Sequence, residues 1–302
     1  MLSASPLAVL CIAVLAVAHG SIFVRLAADA EPLAIAAWRL TLASAVVLPL
    51  VWRSAWPAWR ALEPRMLALT LGGSALLAGH FATWITSLDY TSIANSVVLV
   101  STAPLWVAVI GRLSGTLRLS RLMTGAVILS VIGALVIGWG SAQIGFGTLR
   151  GDLLALAGAA CMGAYLLVAQ RIQRTLAFAP YVGIVYATTA VLLWLTCLGA
   201  GTPMRGFSIG TWGALAGIAL VSQVIGHSGY NWSLRHLRPD FVAVTLLAEP
   251  IVASVLGLLL FDEAIPAATL AGGGIILAAI ALAAHAQLAE QRSRIAGPAA
   301  VT

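Results

Sequence analysis

Glu249 lies near the middle of a long apolar stretch and is followed at once by Pro250. An ionised carboxylate at such a centre costs about 2.5–3.5 kcal/mol in a bilayer. A carboxyl held there can take a proton in one state and an amine or cation in another, which couples the two. The structural alternative is a fixed partner role, with the carbonyls freed by Pro250 and the Thr245 hydroxyl holding it in place. Arg39 is the matching cation, roughly seven residues inside its own apolar stretch and so about 10 Å deep. Its guanidinium fork can grip a carboxylate through two parallel hydrogen bonds. Otherwise it snorkels to the headgroups or pairs with Asp29 or Glu31.

His80 and His227 fall one position apart when the two halves of the chain are superposed. Two imidazoles flanking a cavity can relay protons; alternatively each is hydrogen-bonded to a neighbouring helix, and His19 reads the same way. Trp84 aligns with Tyr230, and Phe81, Trp38, Trp106, Tyr165 and Tyr186 add rings. Such rings stack on a flat or cationic substrate or else face lipid as bulk. Asn231, Gln223, Gln170 and Asn95 must face protein or water rather than lipid. Asn231 and Gln223 share one stretch and are the strongest of these.

Several chemistries are excluded. All 16 basic residues are Arg, so no phosphate-binding loop of the Walker type, which needs Lys, can form. Cys11, Cys161 and Cys197 lie singly in apolar stretches, which indicates neither disulfides nor a metal. No HExxH or GxSxG is present. The expectation is a protein that is not an enzyme and has no cofactor or metal.

The elements that must position these residues are membrane helices. Apolar residues make up 61% of the 302-residue chain and charged ones 9%, far too few charges for a soluble domain. Ten stretches are each near the ~20 residues that cross a bilayer: 6–26, 33–52, 66–87, 91–113, 121–139, 151–170, 180–200, 211–233, 240–260 and 266–286. Residues 1–20 lack the positive start of a secretory signal, and the apolar run continues to about Ala28, so they read as the first span. The segment 287–302, with Gly297-Pro298, reads as a disordered cytoplasmic tail.

Arginine placement sets orientation. With the amino terminus inside, Arg53, Arg60, Arg65, Arg112, Arg118, Arg121, Arg171, Arg174, Arg235, Arg238, Arg292 and Arg294 fall on inner connections. Only Arg25, Arg150 and Arg205 fall outside. This asymmetry predicts cytoplasmic termini in a bacterial-type inner membrane. The net charge of +6 belongs to that orientation, not to a nucleic-acid surface. Trp52, Trp56 and Trp59 cluster at the inner end of the second span, and Trp139 and Trp212 lie at outer ends, as interfacial belt residues.

The last five stretches echo the first five. A shift of 146 residues lays Ser87-Leu88 on Ser233-Leu234, Pro104 on Pro250, Val109 on Val255 and Gly111 on Gly257. A shift of 148 lays Leu122, Gly125, Ile128, Leu129 and Ile132 on Leu270, Gly273, Ile276, Leu277 and Ile280. Five spans per repeat force the second copy in upside down, the arrangement of secondary transporters. The predicted fold is therefore all-α integral membrane, with ten transmembrane helices as two five-helix inverted-topology repeats, 6–139 and 151–286. Pro104 and Pro250 break corresponding helices beside the expected site. Gly213-x-x-x-Gly217 and Gly272-Gly273-Gly274 read as close helix contacts.

Gly20-Ser21, Trp38-Arg39-Leu40, Pro104, Ala248-Glu249-Pro250-Ile251 and Leu260-Phe261-Asp262-Glu263 give the chain its resemblance to the ten-span drug/metabolite transporter superfamily, specifically to proteins with two EamA domains. Asp262 stands where that family has Gly, and the first half lacks the acidic ending at Gly115-Thr116-Leu117. The resemblance implies a secondary carrier, often an exporter, of amino acids or other small metabolites. The mechanism expected is alternating access around a cavity between spans 1, 3, 4 and 6, 8, 9, with proton coupling through Glu249 and the His pair. A lipid or lipid-linked substrate flippase of the same fold is the alternative. The expected partners are a small-molecule substrate, the lipid bilayer and protons, with no nucleic acid and a monomeric or homodimeric state.

Overall fold

The structure, a computed structural model, describes residues 5–87, 90–91, 96, 99–139, 149–262 and 264–296. Asn95, Leu88, Glu263 and 297–302 lie outside the described residues, and with them those parts of the sequence reading. Ten helices and no strands occur among the described residues. They are α1 (Pro6–Leu26), α2 (Pro32–Arg60), α3 (Pro64–Ser87), α4 (Ala103–Leu113) and α5 (Arg121–Trp139). Then follow α6 (Leu149–Ile172), α7 (Phe178–Ala200), α8 (Ile209–Ser233), α9 (Pro239–Phe261) and α10 (Ala267–Ala296). Eight of them are long and apolar enough to cross a membrane; α4 and α5 are shorter apolar helices. In hydrocarbon a backbone must satisfy itself, and helices do so within one segment.

Proline marks the starts of these helices. α1, α2, α4 and α9 each carry Pro in the first two positions, where a missing N–H loses no intrahelical bond. Two ends run well beyond the sequence reading. α2 continues past 52 through Pro57 to Arg60. There the Trp59 ring N–H donates to the Pro180 carbonyl at 2.9 Å, while exposed Trp52 and Trp56 stack with centroids 5.2 Å apart. α10 does not stop near 286: residues 287–296, expected within a disordered tail, continue the helix. The reason is tertiary, since Gln287 is buried and Glu290 pairs with Arg238.

Packing follows a regular scheme of antiparallel pairs. α1 lies along α8, with Phe23 against Gly217, Val17 against Gly226 and Ala13 against Gly229. α3 lies along α6, with Gly73 near Val168, Gly79 near Cys161 and Trp84 near Gly158. α2 lies along α7, where the Trp194 ring donates to Thr41 at 2.8 Å and Gly183 meets Val51 and Trp59. α5 lies along α10, so closely that a Cβ on Gly272 would stand 2.5 Å from the Gly133 carbonyl oxygen. Of the glycines expected to allow close approach, Gly217 and Gly272 do so and Gly273 contacts Ile251, while Gly213 and Gly274 face open space.

Three helices are interrupted. α8 is π-helical over Ile218–His227. α9 breaks at Leu247 and Ala248, so that a second segment, Glu249–Phe261, starts one residue before Pro250. α4 likewise starts one residue before Pro104, after a turn at Ser101 and Thr102. The two prolines thus begin helical segments at matched places rather than bending helices from within.

Candidate functional site

The π-segment of α8 carries the centre of a buried polar cluster. π-Helical turns widen a helix by one residue and recur at functional sites. Here Gln223 accepts a hydrogen bond from Arg39 Nε of α2 at 2.6 Å. The guanidinium carbon of Arg39 lies 4.6 Å from the centroid of the Phe81 ring on α3, a cation–π contact. Arg39 is buried, which excludes the snorkelling reading. Its suggested partner Asp29 is instead occupied elsewhere, accepting from Ser208 N–H and the Thr211 hydroxyl.

Both imidazoles contact Phe81, with ring centroids 5.0 Å to His80 and 5.5 Å to His227. His80 Nδ1 donates to the Gly158 carbonyl at 3.0 Å, and its ring stacks on Trp84 at 5.8 Å. His227 meets Tyr230 edge-on at 5.7 Å. Tyr186 of α7 donates to the Gln223 carbonyl at 3.1 Å and lies 3.0 Å from the Ser228 hydroxyl.

Glu249, at the start of the second α9 segment, interacts electrostatically with Arg39 and Tyr230, but makes no direct ion pair among the described residues. Thr245, suggested as its hydroxyl partner, donates to Phe241 at 2.9 Å instead. Asn231 sits one to two turns beyond Gln223 and His227 along α8. Its Oδ1 accepts from Tyr165 at 2.7 Å, Tyr165 accepts from Tyr181 at 3.1 Å, and the Asn231 carbonyl accepts from Gln173 at 2.8 Å.

The cluster is unsaturated in one sense. Arg39 Nη2, Gln223 Nε2, Tyr230 OH, Trp84 Nε1 and Asn231 Nδ2 are buried with no hydrogen-bond partner among the described residues. All but the hydroxyl can only donate. Buried polar atoms are normally paired, so a patch of unpaired donors is unusual. The chemistry it suits is an acceptor-rich group, a carboxylate above all.

Structure and sequence reading agree on part of this. Arg39, His80, Trp84, Gln223, His227 and Tyr230 come together, with Glu249 at their edge and Asn231 below. The helices that bring them are α2, α3, α6, α7, α8 and α9, α6 supplying the Gly158 carbonyl to His80 and Tyr165 to Asn231; α2 and α7 stand where the expectation had α1 and α4. Trp38 is elsewhere, donating to the Met204 carbonyl at 2.9 Å and packed edge-on to Trp194 and Trp212. His19 Nδ1 donates to the Leu15 carbonyl one turn back in its own helix at 2.8 Å, and its ring lies 6.5 Å from that of Phe23. Sequence reasoning missed Tyr181, Ser228 and Gln173. For Gln173 a signal existed: it lies three residues after Gln170, on the same helix face.

Comparison with known proteins gives three findings. The profile of the EamA-like transporter family matches residues 4–139 and again 149–284. The uncharacterized transporter YyaM of Bacillus subtilis (strain 168) is 24% identical over 233 residues, covering 75% of this chain and 76% of that one. A solved crystal structure described only as that of a protein superposes with a TM-score of 0.77 at 16% identity, over 92% of this chain and 97% of that one, which is a likeness of fold.

Proposed function

We propose a specific role for this chain, which belongs to the EamA-like transporter family: it exports amino acids or similar small metabolites across the inner membrane by alternating access, driven by protons. That it is a multi-pass membrane transporter follows from the family and from its apolar helices. The finer reading rests on one observation, the unpaired donors of Arg39 and Gln223 with the Glu249 carboxyl near enough to interact electrostatically with Arg39. A zwitterion matches that arrangement. Its carboxylate would take the free N–H groups of Arg39 and Gln223, and its ammonium group would take Glu249. Release of the ammonium would leave Glu249 to bind a proton, so substrate and proton would exchange on one carboxyl.

The helix pairing supports the inverted-repeat part of the reading. The pairs α1·α8 and α3·α6 exchange when the halves are swapped, and α2·α7 and α5·α10 map onto themselves. This is the contact pattern of a two-fold axis, and antiparallel self-mapping pairs favour an axis in the membrane plane. The arginine distribution favours cytoplasmic termini.

The test uses purified protein in proteoliposomes with a radiolabelled amino-acid mixture and an imposed pH gradient. The parent protein is expected to concentrate label against the gradient, and Glu249→Gln to exchange label without concentrating it. Glu249→Gln that still concentrates label with unchanged pH dependence would refute coupling at this residue. Translocation of a fluorescent phospholipid with no amino-acid flux would turn the assignment to a flippase.

A further inference from the structure

We infer that the chain carries a second binding site, distinct from the Arg39 cluster, for a small organic oxyanion that also donates hydrogen bonds. It is a pocket of about 610 Å³ at the end of the bundle where the α4–α5, α6–α7 and α8–α9 connections meet α10. Four arginines line it, Arg118, Arg174, Arg235 and Arg238. Facing them are two carboxylates, Glu290 in the lining and Asp240 just behind it. The balance is four positive charges against two negative.

Arg238 is fully engaged by the protein. Its Nε and Nη2 reach Asp240 at 3.0 and 2.8 Å, Nη2 also reaches the Arg118 carbonyl at 2.8 Å, and Nη1 pairs with Glu290. Both carboxylates are thereby held by Arg238, a group of formal charge −1 that the other three arginines outweigh. The guanidinium groups of Arg118, Arg174 and Arg235 have no side-chain partner among the described residues, and all three are exposed to the pocket mouth. This is an oxyanion-binding set with its geometry held by an arginine that is not part of it.

The floor carries the independent observation. Gln173 and Gln287 line the pocket at 4% and 5% exposure, and the Oε1 of each has no donor. Gln173 is fixed in that pose, because its Nε2 is held by the Asn231 carbonyl at 2.8 Å. A buried amide oxygen without a donor is unfavourable, because it has lost its water and gained no partner. A ligand that places a carboxylate or phosphate at the arginine mouth and an N–H or O–H at the glutamine floor relieves both features. Free amino or hydroxy acids have that chemistry, and so does a phosphatidylserine headgroup.

The experiment is calorimetric titration of the full chain in phosphatidylcholine nanodiscs with L-glutamate and L-malate, repeated in nanodiscs containing phosphatidylserine. Saturable binding is expected in the first, weakened about tenfold by Arg235→Gln and by Gln287→Met, each of which removes one contact, and unaffected by Arg53→Gln. Loss of that binding in phosphatidylserine nanodiscs alone would support the site and identify the headgroup as its occupant. No saturable binding of either acid, together with no preference for phosphatidylserine, would overturn the proposal. So would binding that Arg39→Gln abolishes and the pocket variants leave unchanged, since that binding would belong to the transport cluster. Because the readout is binding and not flux, its failure would leave the carrier reading standing.

Discussion

At the scale of single residues, Gln223 decides how Arg39 is held. Its Oε1 is the one acceptor that the buried guanidinium has among the described residues, and its own Nε2 is left free. Hydrogen bonds to charged groups contribute about 1.5–3 kcal/mol. Gln223→Met keeps the volume and removes the acceptor, so it should lower the unfolding free energy by about that amount. Denaturation in detergent micelles would measure this, and a variant as stable as the parent would mean that Arg39 finds another acceptor. The polar residues of this cluster were legible in the sequence because each is anomalous in an apolar stretch. Their partners were not. Arg39 and Gln223 are 184 residues apart, and nothing local to either says that α2 crosses the π-segment of α8. Tyr181 was illegible for a different reason, as a tyrosine next to Pro180 at a helix start reads like an interfacial belt residue.

At the scale of elements, helix existence was legible from hydropathy, and helix ends were set by contacts that hydropathy does not record. α10 passes 286 because Glu290 has Arg238 to meet, and α2 passes 52 because Trp59 has Pro180. Asp262 shows the converse. It terminates α9 at φ 59°, in the left-handed region where glycine is usual, so the departure from the family's Gly at that place is accommodated by one of the few other residues that tolerate it. The start of α8 depends on a residue from another element. Ser208 caps it locally by accepting from Thr211 N–H at 3.3 Å, and Asp29 of the α1–α2 connection accepts from the Thr211 hydroxyl and from Ser208 N–H. The Thr211 hydroxyl first, and the Ser208 N–H second, hold the Asp29 carboxyl below its usual range. A carboxyl whose pKa is lower folded than unfolded adds stability above its ordinary pKa and loses it as pH falls through the folded value. Asp29→Asn should therefore melt below the parent at neutral pH, and the two melting curves should converge in acid. A gap that stays constant down to the acid limit would show that the charge is not what matters.

At the scale of the whole molecule, the four antiparallel pairs constrain which faces of the membrane the connections can occupy. The turns after α4 and α9 occupy equivalent places in the two repeats. Were the repeats inserted in the same sense, Arg118 and Ala264 would emerge on one side of the bilayer. In the structure Arg118 belongs to the pocket end, where the Arg238 guanidinium meets its carbonyl. The end of α9 lies at the opposite end, where Arg25, at the close of α1, stacks on Phe261. Charge agrees with this separation, because the pocket end collects arginines that the positive-inside rule assigns to the cytoplasm. In a background lacking Cys11, Cys161 and Cys197, Ala264→Cys should react with a membrane-impermeant maleimide in intact cells. Arg118→Cys should react only after the cells are opened. If both positions label from the same side, the two repeats cannot be inverted, and a carrier that alternates about an in-plane two-fold would have to be abandoned along with the exchange of substrate and proton at Glu249.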